Sequence, residues 1–321
     1  MAEDPRRGSD ALLERIASLG TLRHAWQAVK ERRGAPGIDR VSLRDYEAGL
    51  DERLHRLSER LLDESYRPAA VLRFYPASDP KRPLAIPTVE DRIAQRAVAA
   101  VLGPLLEPTF SPASYAYRPR RSVAQALTVV ERHLEGGLRF FLRTDIEKFF
   151  DRLDQERLLE ALAQDVADRR VSRLVGRFVR AQVLEGATSD LLELGVPQGS
   201  ALSPLLSNVY LRPFDQAVLA AGYPLIRYAD DMLVLARTFE ETGDALELLS
   251  RQVEALGLRL GPRKTQRGNI GEGFVFLGVH FGPAGRGPAR KALAALEERA
   301  GAILAEEHDP EAVDSALALL V

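Results

Sequence analysis

Two apolar runs, Pro224-Leu225-Ile226 and Met232-Leu233-Val234-Leu235-Ala236, flank Tyr228-Ala229-Asp230-Asp231. Short apolar runs on either side of a polar turn predict a β-hairpin, here with two adjacent carboxylates at its tip. Upstream the period is helical. Residues 10–33 predict one arginine-rich helix with Leu12, Leu13, Ile16, Leu19, Trp26 and Val29 as its apolar positions, broken by Gly34-Ala35-Pro36-Gly37. A second helix is expected over 43–63, a strand over 70–76, and a Pro-rich basic loop from Pro76 to Pro87. Thr88 and Asp91 have capping-box spacing for a helix over 88–106. Phe140-Phe141-Leu142-Arg143-Thr144 reads as a strand leading into Asp145, followed by helices near 155–168 and 171–184. After the hairpin, Thr238 and Glu241 cap a helix whose apolar face is Leu246, Leu249, Val253 and Leu256. Gly257 is its expected stop, and Leu258-Arg259-Leu260 a last short strand.

Residues 138–260 therefore follow a split β-α-β-β-α-β order with helices inserted after the first one. That topology lays the strand ending at Asp145 beside the hairpin, so Asp145 is expected next to Asp230 and Asp231. Adjacent carboxylates repel unless a cation sits among them, and a divalent metal is the usual remedy. An ordinary Asp-Asp turn, and a helix N-cap at Asp145, are the bland alternatives. Further on, residues 274–281 predict a strand or hairpin, Gly282 to Pro288 a linker, and the chain from Pro288 a helix with Leu293, Leu296, Ile303 and Leu304 on one face. A second helical pattern runs from Pro310 into Val321, so the chain is expected to be incomplete at this end.

Composition narrows the picture. With 321 residues and 45% hydrophobic content the chain can bury a large core. It has no cysteine, which excludes disulfides and thiolate zinc sites and favours a cytoplasmic setting. No apolar run reaches membrane-span length. A net charge of −2 tells against nucleic-acid binding through bulk charge and leaves local patches as the route.

Three ordered segments carry a resemblance: Asp145-Ile146-Glu147-Lys148-Phe149-Phe150-Asp151, Gly195-Val196-Pro197-Gln198-Gly199-Ser200-Ala201-Leu202-Ser203-Pro204 and Tyr228-Ala229-Asp230-Asp231. They resemble reverse transcriptase motifs A, B and C, in the form of bacterial group II intron-like enzymes. Gly34 to Asp39 resembles the N-terminal extension motif, and Arg82 to Arg92 the fingers motif. Tyr115-Ala116-Tyr117-Arg118-Pro119 resembles the motif that follows it, Leu258 to Thr265 motif D, and Phe276-Leu277-Gly278 the primer grip.

The resemblance implies an α+β right-hand polymerase architecture with helical/β fingers, a split β-α-β-β-α-β palm and an incomplete helical thumb. Its expected divisions are an N-terminal helical extension (1–65), fingers (66–138), a palm (139–282) with a helical insertion near 155–194, and the start of a thumb (288–321). It implies RNA-directed DNA polymerisation: dNTPs added to a DNA or RNA primer on an RNA template. Mg²⁺ would be held by Asp145, Asp230, Asp231 and the backbone carbonyl of Ile146, with Mn²⁺ as the alternative ion. Lys264 would assist near the pyrophosphate, a surface lysine being the alternative. Phe150 would be the steric gate against a ribose hydroxyl, with Phe149 left as core. Arg82, Lys81 and Gln198 would contact the nucleotide. Tyr117, Arg118, Arg120 and Arg121, with Tyr115, would serve the template, a solvated loop being the alternative, and Leu277 and Gly278 the primer. Ala77 stands where relatives usually carry a lysine; either Lys81 replaces that phosphate contact or the fingers grip dNTPs less tightly.

Residues 283–321 carry four basic and seven acidic side chains, the wrong balance for gripping an intron RNA. This, with the missing endonuclease, favours the CRISPR-associated branch or another defence system, with an integrase-type subunit or fused domain as partner. A group II maturase-type RNA-binding protein of a mobile element is the alternative.

Overall fold

The computed structural model describes residues 11–76, 84–185, 188–190, 194–197 and 199–306. Lys81, Arg82 and Gln198 lie outside the described residues, as does the helical pattern expected from Pro310.

The N-terminal helices are shorter than the apolar period predicts. In place of one helix over 10–33 there are two, α1 (Leu12–Ala17) and α2 (Leu19–Glu31), because the Ser18 hydroxyl accepts the Thr21 amide and starts a new helix. The 43–63 helix is likewise divided into α3 (Leu43–Glu47) and α4 (Leu50–Leu62), with Ala48-Gly49 between them. Helix α5 (Val89–Leu106) begins at the expected Thr88 cap and packs against α1 and α2. The Gly34–Gly37 loop docks on its N-terminal end. Arg92 Nη2 donates to the Ala35 carbonyl at 2.7 Å, and a Cβ on Gly37 would lie 2.7 Å from the Thr88 backbone.

Strands β1 (Val71–Phe74) and β2 (Leu84–Ile86) form an antiparallel pair, so the Pro-rich loop returns as a strand. Helix α6 (Val123–Glu135) leads to β3 (Phe140–Asp145), a short α7 (Phe149–Arg152), α8 (Gln155–Asp165) and α9 (Arg169–Val179). The insertion near 155–194 is not wholly helical. Its end forms β4 (Val183–Glu185) and β5 (Thr188–Asp190), and β4 runs parallel to β1 because Val183 and Leu184 pair with Val71 and Leu72.

Helix α10 (Ser203–Ala220) precedes the hairpin of β6 (Leu225–Tyr228) and β7 (Asp231–Ala236). Helix α11 (Phe239–Ala255) follows from the Thr238 cap, and Gly257 takes the left-handed φ of +75° expected of a helix stop. The fourth strand of the sheet is β8 (Gln266–Asn269), not Leu258-Arg259-Leu260, of which only Leu260 bridges, to Ile146. Sheet order β6-β7-β3-β8, antiparallel throughout, is that of a split β-α-β-β-α-β unit.

The sheet is packed on both faces. Leu142, Met232 and Val234 join the helical core with α10 and α11, while Phe141, Ile226, Leu233 and Leu235 meet α6 and a second small sheet. That second sheet comprises β9 (Phe274–Phe276), β10 (Val279–Gly282) and β11 (Gly285–Pro288), so the expected linker after Gly282 is a strand paired with β10. Helix α12 (Arg290–Glu306) closes the described chain. No described helix is long and apolar enough to cross a membrane.

Candidate active site

β3 ends at Asp145, β7 begins at Asp231, and the register pairs these two residues directly. Directly opposed residues of an antiparallel pair share a face, so the two carboxylates stand together. The two-residue turn Ala229-Asp230 places a third carboxylate at the same end of the sheet. Ala229 takes φ +58°, a conformation that favours glycine at the first position of a hairpin turn. The Ile146 amide donates to the Asp230 carbonyl at 3.2 Å and ties the turn to the end of β3.

Two cations offset the repulsion. Lys264 forms an ion pair with Asp145, and its own side chain stays 65% exposed. Arg143 approaches Asp231 through Nε at 3.4 Å and Nη2 at 3.3 Å. Burial pushes the Asp231 carboxyl above its ordinary value, Arg143 opposes the shift, and Asp230 and Asp145 add to it. Lys264 is presented by a tight turn: the Lys264 and Thr265 amides both donate to the Gly261 carbonyl at 3.1 Å, and the Thr265 hydroxyl meets that of Thr144 at 2.7 Å. Gly261 itself lies against Asp145. Its amide donates to the Asp145 carbonyl at 2.8 Å, and a Cβ there would fall 2.2 Å from Asp145 Oδ1.

A cleft of about 520 Å³ opens over this end of the sheet. Asp145, Ile146, Asp230, Lys264, Phe150 and Tyr117 line it, together with Gly199 and Ser200. Both Phe149 and Phe150 border the cleft; Phe149 is buried in the core and Phe150 is half-buried. Gly195 fits tightly under this segment: a Cβ would lie 2.6 Å from the Phe150 carbonyl oxygen. Two buried glutamines that sequence reasoning missed hold Gly195, Ser200 and Ala201. Gln95 Oε1 accepts from the Ser200 hydroxyl at 3.1 Å and the Ala201 amide at 3.3 Å, and Gln155 Nε2 donates to the Gly195 carbonyl at 2.9 Å.

An adjoining cleft of about 670 Å³ shares Arg32, Leu84, Tyr117, Gly199 and Ser200 with the first and adds Arg33, Arg92 and Arg96. Burial pulls the Arg92 and Arg96 guanidiniums below their ordinary values, and Arg32 lowers Arg96 further. Clustered like charge of this kind is suited to a polyanion. Arg32 and Arg96 fall in two separate segments that the sequence shows only as helical, so their convergence was not legible there.

Among the described residues no group of three His, Cys, Asp or Glu side chains closes into a metal cage. Asp145 and Asp230 instead share an open cleft with Ile146. That donor set fits a hard divalent cation bound by one or two carboxylates, with water and substrate phosphate completing its shell. Asp231, paired with Arg143, is not among the residues that line this cleft.

The loop expected to serve the template divides. Tyr117 is 48% exposed with φ +61° and reaches the cleft, and Arg120 is exposed with φ +60°. Arg121 stacks on Tyr115, its guanidinium 5.0 Å from the ring centroid, and Tyr115 is itself buried, so Tyr115 is no base-stacking platform. Arg118 is corrected too. Its side chain is 5% exposed, and its guanidinium donates to the Glu107 carboxylate and to the carbonyls of Glu107, Ser111 and Ser114. No donor remains for a template backbone. Removing Glu107 by Glu107→Ala is expected to cost about 3 kcal/mol, because it leaves a buried guanidinium without its counter-charge. Urea denaturation checks this, with Arg120→Ala expected to stay within about 0.5 kcal/mol of the unmodified chain.

Leu277 and Gly278 form the tight turn between β9 and β10, with φ +49° and +80°. Leucine is unusual in this conformation, so the turn is held by its surroundings; the Gly278 carbonyl accepts the Ala289 amide at 3.0 Å.

Residues 76–281 match the reverse transcriptase (RNA-dependent DNA polymerase) family. The chain belongs to that family. Protein YkfC of Escherichia coli K12 is 30% identical over 322 aligned positions, covering 86% of this chain and 84% of YkfC. The group II intron-encoded protein LtrA of Lactococcus lactis subsp. cremoris is 37% identical over 172 positions, covering 53% of this chain and 28% of LtrA. Among solved structures, a chain of a partial Cas6-RT-Cas1–Cas2 complex aligns with a TM-score of 0.49 and 24% identity, over 77% of this chain and 43% of that one. The chain is thus a reverse transcriptase of the group II-like bacterial kind, an RNA-directed DNA polymerase, and its family generally uses divalent metal ions.

Proposed function

We propose that this reverse transcriptase adds dNTPs to a primer 3′ end on an RNA template by nucleotidyl transfer assisted by two Mg²⁺ ions. The observation that carries this is Asp145 and Asp230 at one sheet end, facing a cleft that also presents Phe150 and Lys264. When bound, the metal would activate the attacking 3′ oxygen and stabilise the leaving pyrophosphate. Asp145 and Asp230 would hold it, with the Ile146 carbonyl as a further oxygen donor. Asp231 would act mainly by anchoring Arg143.

The remaining roles belong to the chain's own side chains. The 3′ oxygen displaces pyrophosphate from the α-phosphorus, and Lys264 meets the charge that develops on that leaving group. Its ammonium is paired with Asp145 in the free protein, so incoming phosphate exchanges one anionic partner for another. The Phe150 ring abuts the sugar and excludes a 2′-hydroxyl. Arg32, Arg96 and Tyr117 line the path of the template strand. Lys81, Arg82 and Gln198 keep the nucleotide contacts that the family resemblance implies.

Chelating divalent cations with EDTA is expected to stop primer extension, and readded Mg²⁺ to restore it; synthesis that continues in EDTA contradicts the reading. Phe150→Val is expected to raise ribonucleotide incorporation relative to deoxyribonucleotide by about 10- to 100-fold, since removing a steric clash of this size is worth roughly 1–3 kcal/mol. Competition between dNTP and rNTP on one template measures it.

For the cellular setting, the acidic balance of residues 283–321 favours CRISPR spacer acquisition or another defence system, with an integrase-type partner. The identity with LtrA favours a mobile-element setting. A pulldown from the source cell separates them: an integrase-type subunit supports the first, a spliced intron RNA the second.

A further inference from the structure

We propose that Arg227 is a positioning residue of the polymerase reaction, holding the turn that aims Asp230 from beneath the active centre. The inference rests on the reading of Asp230 as a metal-holding carboxylate.

Arg227 is the residue just before Tyr228-Ala229-Asp230-Asp231 and is completely buried. It pairs with Met232 across the hairpin, so it lies on the face opposite Asp145 and Asp231, toward α10. Its guanidinium hydrogen-bonds to three residues. Nε and Nη2 donate to the two oxygens of Asp215, each at 2.6 Å, and Nη2 also reaches Asn208 Oδ1 at 3.3 Å. Nη1 donates at 3.0 Å to the carbonyl of Ala229, the residue with φ +58°. An alanine gains nothing from that conformation, so something outside the turn must hold it.

A buried ion pair is weak evidence for stability, since well-packed apolar residues of similar volume often serve as well or better. What an apolar pair cannot do is donate to a carbonyl at the strained position. Only the rigid guanidinium fork can grip Asp215 at two points and still present a donor to Ala229; a lysine ammonium is a single point. Asp215 and Asn208, both on α10, thus fix the fork, and the fork fixes the turn. The same network sets the neighbouring loop. The Arg227 amide donates to the Ala113 carbonyl at 2.8 Å, and Asn208 Nδ2 donates to the Ala116 carbonyl at 2.9 Å, directly before Tyr117. Helix α10 therefore positions the carboxylate turn and the cleft loop from one point.

The test compares the unmodified chain with Arg227→Lys, Ala229→Gly and the double variant. Arg227→Lys keeps the charge opposite Asp215 and loses the fork. It is expected to lower kcat per folded molecule about 100-fold, the scale of an ångström-sized misplacement. KM for dNTP is expected to stay within about twofold, because the nucleotide contacts are untouched. Amide hydrogen exchange should rise in residues 225–236 and stay unchanged in 290–306. Ala229→Gly lets the turn adopt its φ freely, so in that background the loss on Arg227→Lys should shrink several-fold.

A purely structural role predicts otherwise. Arg227→Lys would then lower the melting temperature, keep wild-type kcat per folded molecule, and gain nothing from Ala229→Gly; that result overturns the proposal. Failure of the underlying reading is distinguishable, because Asp230→Ala would then still extend primers. Failure of the present inference alone leaves Asp230→Ala inactive and Arg227→Lys fully active.

Discussion

Asp145→Ala and Asp230→Ala are each expected to lower primer extension by about 10³-fold or more while the protein stays folded. The magnitude follows from losing a metal-held stabilisation of several kcal/mol, with each 1.4 kcal/mol or so worth tenfold in rate. The fold should survive Asp145→Ala because that change strands no buried charge. The partner Asp145 would leave behind, Lys264, is 65% exposed, and water can take it over. The Asp230 backbone carbonyl accepts the Ile146 amide, a contact that alanine keeps. Asp231→Asn is expected to cost much less, since that side chain pairs with Arg143 and is not among the residues lining the cleft. Steady-state extension with a circular dichroism melt on the same samples checks all three.

Gly261→Ala is expected to lose about 100-fold in kcat, the scale of misplacing a catalytic group by an ångström. The new methyl carbon would sit 2.2 Å from Asp145 Oδ1, far inside contact distance, with the backbone on both sides already hydrogen-bonded in place. The softest response is a rotation of the Asp145 carboxylate out of the cleft. Gly222→Ala is the matched control. Gly222 has φ +86° and nothing within 4 Å of a Cβ, and it lies just past the end of α10. It should lose about 1 kcal/mol of stability through its backbone conformation and keep kcat. If Gly261→Ala behaves like Gly222→Ala, the close approach to Asp145 does not matter for chemistry.

The centre of the site was legible because topology does the work that distance in sequence hides. A strand running into Asp145 and a hairpin tipped by Asp230 and Asp231 have one natural arrangement in a split β-α-β-β-α-β sheet, and the register Asp145 to Asp231 is that arrangement. The caps at Thr88 and Thr238 were legible for a local reason: a hydroxyl just before a helix accepts the amide three residues on, although neither carboxylate closes the box by returning to the cap's own amide.

Other features depend on partners far along the chain. β8 is Gln266-Arg267-Gly268-Asn269, an edge strand with no apolar alternation, whereas Leu258-Arg259-Leu260 has the alternation and forms a single bridge. Arg118 reads as a loop arginine until Glu107, on the preceding turn, is seen to close around it. Arg227 did leave a trace, since a charge inside an apolar run beside a carboxylate turn asks for a buried partner. Nothing in the sequence pointed to Asp215 on the previous helix. The breaks at Ser18 and Gly49 were hidden because the apolar period continues across both.

The most direct measurement is primer extension by the unmodified chain on an RNA template, with Mg²⁺ and either dNTPs or rNTPs. The expected result is template-copied DNA from dNTPs, little product from rNTPs, and none from Asp230→Ala. Equal extension with dNTPs by Asp230→Ala and the unmodified chain would contradict it.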